Sequence, residues 1–171
     1  KALLALGLLS LANVAQAALI TLDAGHFSVT YDDVEAGLYK QGHLSGSLDT
    51  IYFLPNTLAA LSGGDEVSTQ ASLELTFAIT TPGYAFTGFT YTERGDYFLF
   101  GGGAVNVAAS ALAPNATASG SDILLNLASG PLNQTGSSTP WELTGSLSSL
   151  DLASPQTLVA TLDNTLRASA T

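Results

Sequence analysis

The chain has no cysteine and no methionine, and only four Lys and Arg stand against fourteen Asp and Glu. Without cysteine there can be no disulfide and no thiolate metal centre, so stability has to come from a packed core and its hydrogen-bond ladders. The formal charge of -10 repels phosphate backbones and anionic lipid headgroups, which disfavours charge-driven binding to nucleic acid or to a membrane surface. Charged residues make up 11% of the chain, against roughly 25% in ordinary globular domains. Long amphipathic helices need Lys, Glu and Arg on their wet face, so this scarcity argues against a helical fold. A membrane-spanning helix takes about 20 consecutive apolar residues, and no stretch of the chain reaches that length. The usual catalytic signatures are missing too. There is no GxSxG elbow, no HExxH pair and no phosphate loop ending in GK[ST], and the histidines number two, His26 and His43.

What is present begins with an export signal. Lys1 supplies a positive n-region, Ala2 to Ala12 is an uncharged apolar run, and Ala15-Gln16-Ala17 is an A-x-A cleavage site. Residues 1–17 are therefore expected to be a bacterial-type signal peptide, cut after Ala17, with the initiator methionine upstream. The product is expected to be secreted or displayed at the cell surface. Residues 18–171 then form one domain of ordinary size.

Alternation is the recurring pattern in that domain. Ala71, Leu73, Leu75, Phe77 and Ile79 face one way while Ser72, Glu74, Thr76 and Thr80 face the other, the period of a half-buried strand. The same period runs through 27–31, 85–91, 105–111, 123–127 and 141–143, with further strands expected at 50–54 and 157–162. Turn residues at 63–65, 81–83, 94–96, 101–103 and 129–131 break these segments. Eight or more short strands predict an all-β, antiparallel sandwich of the jelly-roll-like kind. Leu54 to Leu61 could hold one helical turn capped by Asn56. The stretches 113–120 and 130–140 read as long loops, the second the more mobile.

Several residue groups are candidates for chemistry. Asp23, Asp32, Asp33 and Glu35 are close in sequence, and a hairpin that gathered them could hold Ca²⁺, a hard ion that prefers six to eight oxygens. A solvated acidic loop is the bland alternative, and Asp65-Glu66 has the same two readings. His43 with Ser45, Ser47 and Asp49 contains the residue types of a nucleophilic triad, but such proximity is expected by chance in a Ser-rich chain. Gly101 to Gly103 fits a hairpin turn better than a phosphate cradle, since no Lys follows. Trp141 could be a platform for sugar rings, though its phase with Leu143 favours core packing. Asn115 and Asn133 each open an N-x-T triplet that a bacterial chain would leave unmodified. No pair of carboxylates stands out for glycoside hydrolysis.

One stretch carries a resemblance. Phe86 to Ala109 reads FTGFTYTERGDYFLFGGGAVNVAA: a strand ending in Thr-Glu, a tight turn, then Gly-Asp-Tyr, a short apolar strand, a glycine run and another alternating strand. It resembles the TExGDY…G.G.V.V.G segment of bacterial exported proteins that bear a PEP-CTERM sorting tail. In such a turn Gly95 would take a positive φ, Asp96 would accept backbone N–H groups, and Tyr97 would open the next strand after Glu93. Leu158 to Ala170 resembles the segment that precedes the tail in that family. In that family the tail is a Val-Pro-Glu-Pro motif with one transmembrane helix and a basic end processed by an exosortase; here either such a tail follows Thr171 or the resemblance is to the β-domain only. The resemblance implies a surface or matrix role in exopolysaccharide-producing, biofilm-forming bacteria. The expectation is a non-enzymatic structural or adhesive protein, without a cofactor, that contacts polysaccharide or other matrix components. A Ca²⁺-dependent carbohydrate-binding module is the alternative.

Overall fold

The computed structural model describes residues 18–55, 59–114, 116, 117, 120–147 and 156–170. The expected signal peptide, with Ala15 and Ala17, lies outside these residues, as do the Asn56 cap and Asn115.

Among the described residues ten strands account for the fold, and every pairing between them is antiparallel. β1 (Leu19–Asp23) and β2 (Phe27–Asp32) form a hairpin, followed by one turn of helix, α1 (Asp33–Ala36), and a 3-10 turn at Gly37–Tyr39. β3 (Gly42–Leu44) and β4 (Ile51–Phe53) make a short ribbon. Then come β5 (Val67–Ile79), β6 (Phe89–Tyr97), β7 (Gly103–Ala113), β8 (Ile123–Ala128), β9 (Thr139–Leu147) and β10 (Thr157–Ala170). The central sheet has six strands in the order β1-β2-β5-β10-β7-β8, while β6 and β9 pair only with each other. The result is sandwich-like, with unequal layers: one broad sheet, its inner face covered by the β3–β4 and β6–β9 ribbons and by the α1 segment.

The inner face shows why. Side chains two apart along a strand share a face, and the buried set follows that parity on every central strand. Val29 and Tyr31 come from β2, Leu73, Leu75 and Phe77 from β5, Leu158, Ala160 and Leu162 from β10, and Ala109, Ala111 and Ala113 from β7. The large residues gather toward β2 and β5, where Phe27, Phe77, Phe86 and Phe89 meet at ring centroid separations of 6.0 to 6.5 Å. Toward β7 the face is paved with alanine, so the covering ribbon can come close. Phe53 brings the β3–β4 ribbon into the core, edge-on to Tyr31 at 5.5 Å and to Tyr39 at 5.9 Å. The Tyr31 hydroxyl accepts a hydrogen bond from the Gly42 backbone N–H at 2.8 Å.

The β6–β9 ribbon packs by complementing large residues with small ones. Across it Tyr91 faces Gly145, Glu93 faces Leu143, and Gly95 faces Trp141. A Cβ on Gly95 would lie 2.6 Å from the indole, and one on Gly145 would meet Leu125 and Leu127 of the central sheet at 2.8 Å. The outer face of the ribbon is a polar ladder, in which Thr90 meets Ser146 and Thr92 meets Thr144 at 3.0 Å. Arg94 closes it on Glu142 at 2.8 Å, an exposed pair of the kind that adds little stability.

Three expectations need correction. The Arg94-Gly95-Asp96 turn does not exist: β6 runs unbroken through Tyr97, and Gly95 is required by the indole stacked on it rather than by a left-handed backbone. Residues 85–88 are not strand, and β6 begins at Phe89. Gly101 to Gly103 makes no hairpin, because β6 and β7 belong to different sheets, and the glycines carry the chain from one layer to the other. Gly101 and Gly103 have φ of 96° and 134°, and a Cβ at Gly103 would lie 2.2 Å from the Ser169 carbonyl oxygen. The 130–140 loop is also better tied than its composition suggests. Leu132 and Val105 exchange two backbone hydrogen bonds of 2.9 Å, and the Gln134 N–H donates to the Tyr97 hydroxyl at 3.1 Å.

Candidate functional site

The acidic candidates are not brought together. Asp23 pairs with Ser28 near the tip of the β1–β2 hairpin, whereas Asp32 pairs with Leu19 at its base. Four residues of strand separate the two positions, about 13 Å at 3.3 Å per residue. Each of the three aspartates already serves a backbone N–H. Asp23 accepts from Gly25 at 2.8 Å, Asp33 accepts from Ala18 at 2.9 Å, and Asp32 caps α1 by accepting from Val34 at 2.8 Å and Glu35 at 3.2 Å. The D-x-x-E spacing of Asp32 and Glu35 is a capping pattern, a reading that accounts for this end of the cluster without a metal. Among the described residues no three His, Asp or Glu side chains are grouped as a metal site.

The imagined triad separates in the same way. Ser45, Ser47 and Thr50 all donate to Asp49 Oδ1, at 3.1, 2.6 and 2.9 Å, which lowers the Asp49 carboxyl below its usual range. His43 instead stacks on Tyr52 across the β3–β4 ribbon, centroids 5.6 Å apart. The hydroxyls thus donate hydrogen bonds to a carboxylate on an exposed turn, and Ser45 donates to that carboxylate rather than to an imidazole.

Two features that the sequence did not single out lie back to back on β10. The first is on the outer face of the central sheet, where an open depression of about 470 Å³ is lined by Gln70, Ser72, Asp163 and Thr165, with Ala71 and Asn164 beneath. Strand pairing extends it. Ser72, Asp163, Ser110 and Asn126 stand in one row across β5, β10, β7 and β8, flanked by the row Gln70, Thr165, Ala108 and Ala128. Neighbouring strands are about 4.8 Å apart, so four side chains span about 14 Å. This surface offers amide, hydroxyl and carboxylate groups with a single negative charge among eight side chains.

The second feature is the polar cluster on the inner face, directly behind the first. Asn164 is flanked by Ala71 and Ala109, and their small side chains leave room for Glu93 of β6 to descend onto it. Glu93 is 8% exposed and Asn164 5%. Glu93 Oε1 accepts from the Tyr91 hydroxyl at 2.6 Å and from Asn164 Nδ2. Burial outweighs these two donors and raises the Glu93 carboxyl above its ordinary value. Tyr91, and Tyr39 beside it, are pushed well above the usual phenol range by burial first and by the neighbouring Glu93 second. Glu93 belongs to the TERGDY stretch, yet only its alternation with Tyr91 could have marked it as buried. Of the other motif residues, Tyr97 anchors the 130–140 loop and Asp96 accepts from the Ser138 hydroxyl at 3.0 Å.

No family model, no curated protein and no solved structure matches the chain. No helix of the described residues is long and apolar enough to cross a membrane.

Proposed function

We propose that this is a non-enzymatic, exported surface or matrix protein that adheres to polysaccharide through the outer face of its central sheet. The observation that carries the reading is the open depression over Gln70, Ser72, Asp163 and Thr165, continued sideways by Ser110 and Asn126. Hydroxyl, amide and carboxylate groups recognise sugar hydroxyls by exchanging hydrogen bonds with them, and a row of about 14 Å matches a few sugar rings. The strong net negative charge selects against acidic glycans, so the substrate class is an uncharged polysaccharide. The signal-like residues 1–17 and the TERGDY stretch support export and a place among PEP-CTERM-type surface proteins.

The test is retention of the protein on immobilised neutral polysaccharides, comparing wild type with the Gln70→Ala/Asp163→Ala double variant. Both residues are exposed, so the variant is expected to fold and to lose at least tenfold in affinity. A wild-type protein indifferent to every neutral glycan offered would sink the reading.

A further inference from the structure

Glu93 and Asn164 each have one polar atom engaged and one left over. Asn164 Nδ2 donates to Glu93 Oε1, while Glu93 Oε2 and Asn164 Oδ1 are both buried without a hydrogen-bond partner. As a carboxylate, Glu93 leaves its Oε2 and the Asn164 Oδ1 as two buried acceptors without a hydrogen-bond partner, a costly arrangement. A proton on Oε2 changes the count, because the acid O–H can then donate to Asn164 Oδ1. One proton satisfies both leftover atoms and closes an eight-membered acid–amide ring.

We propose that Glu93 is held as the neutral acid in a two-bond ring with the Asn164 amide, and that this ring is a pH-operated latch fastening the β6–β9 ribbon to the central sheet. Burial favours the neutral form and outweighs the hydrogen bonds from Tyr91 and Asn164, which favour the carboxylate. Ala71 of β5 and Ala109 of β7 flank Asn164 with apolar groups, and Leu143 of β9 lies directly across the ribbon from Glu93. Tyr91 of β6 and Tyr39 of the 3-10 turn present neutral phenols, and Asp163 of β10, on the opposite face, adds only negative potential. The ion pairs among the described residues, Arg94 with Glu142 and Arg167 with Glu66, are exposed and do not involve Glu93. With burial raising the carboxyl and no cation beside it, the folded state binds the proton more tightly than the unfolded chain does. The sign follows from linkage: the latch contributes fully below the ordinary carboxylate value, near pH 4.3, and its contribution is lost as pH rises through the higher folded value.

The experiment is a carbon-13 titration of the side-chain carboxyls in the full chain, with the Glu93 signal assigned by its disappearance in Glu93→Gln, together with melting curves of both proteins from pH 4 to 9. Gln can close the same ring at every pH. Glu93 is expected to keep the chemical shift of a protonated acid after the exposed carboxylates have ionised. The Glu93→Gln protein is expected to melt with wild type at pH 4 and above it at pH 9. Ionisation of Glu93 together with the exposed carboxylates, or a Glu93→Gln melting temperature offset equally at all pH values, would overturn the proposal. Should Glu93→Gln fail to fold, the wild-type titration decides alone, with Glu93 then assigned through its backbone connectivity.

Discussion

Asp163 and Asn164 are neighbours on the same strand with similar side chains, and they have opposite fates. Asp163 is exposed on the outer face, in the floor of an open depression, while Asn164 is 5% exposed and hydrogen-bonded to a carboxyl from another layer. The difference is parity alone, since successive residues of a strand point to opposite faces. On the outer face a polar group keeps its water and is free to meet a ligand. On the inner face it must find a protein partner, and in doing so it ties two layers together.

The comparison is sharpest where the inner side is apolar. Leu75 is fully buried between Phe77 and Leu73, and Leu75→Ala is expected to cost about 2–5 kcal/mol, the range for removing a core leucine and leaving a cavity. Its outward neighbour Glu74 faces Thr161, and Glu74→Ala is expected to stay within about 0.5 kcal/mol. Urea unfolding of the two variants measures the contrast, and equal losses would break the assignment of faces.

Overfilling tests the ribbon in the same manner. Gly95→Ala places a methyl where the Trp141 ring sits, for an expected loss of about 1–3 kcal/mol. Adding Trp141→Ala to it is expected to cost less than the sum of the two single changes, because both act on one contact. Strict additivity in that double-mutant cycle would remove the steric account of Gly95.

Gly95 also shows how far the sequence could be read. The strands β2, β5, β7, β8 and β9 are legible as alternation because each has one wet face and one dry face. The end of β6 is not legible, because Arg-Gly-Asp is turn chemistry by local preference, whereas here the glycine answers to a ring from a strand more than forty residues away. β1 and β3 are short and have only two or three inward residues, too few to set a period. The pairing of Glu93 with Asn164 joins positions 71 residues apart, and no local pattern encodes it. The outer depression is legible only once β10 is placed between β5 and β7, which brings residues 70–72 beside 163–165. The cap at Asp32, by contrast, is a local D-x-x-E pattern that the sequence carries within four residues.

A smaller effect separates the two halves of the β10 pair. Asn164→Ala removes a donor from Glu93 and is expected to cost about 1–3 kcal/mol, the penalty for leaving a buried polar group short of a partner. Asp163→Ala is expected to stay within about 0.5 kcal/mol in thermal or urea unfolding while weakening glycan retention. Loss of stability in Asp163→Ala matching that of Asn164→Ala would mean that both residues are structural, and the outer depression would lose its claim to be a binding surface.

The smallest expected effect is none. Asp23 sits at the tip of the β1–β2 hairpin and Asp32 to Glu35 at its base, and Asp23, Asp32 and Asp33 are engaged by backbone N–H groups. A hard cation there would have to compete with those donors and could recruit only one end of the hairpin. An ion that bound the folded protein at 100 times its dissociation constant would add about 2.7 kcal/mol, a shift that a thermal melt resolves easily. Melts with and without millimolar Ca²⁺ are therefore expected to superimpose. A rise in the melting temperature that disappears in Asp32→Asn would show that the base of the hairpin rearranges to bind the ion, and the proposed adhesion through the sheet face would then have to share its role with a calcium-dependent site.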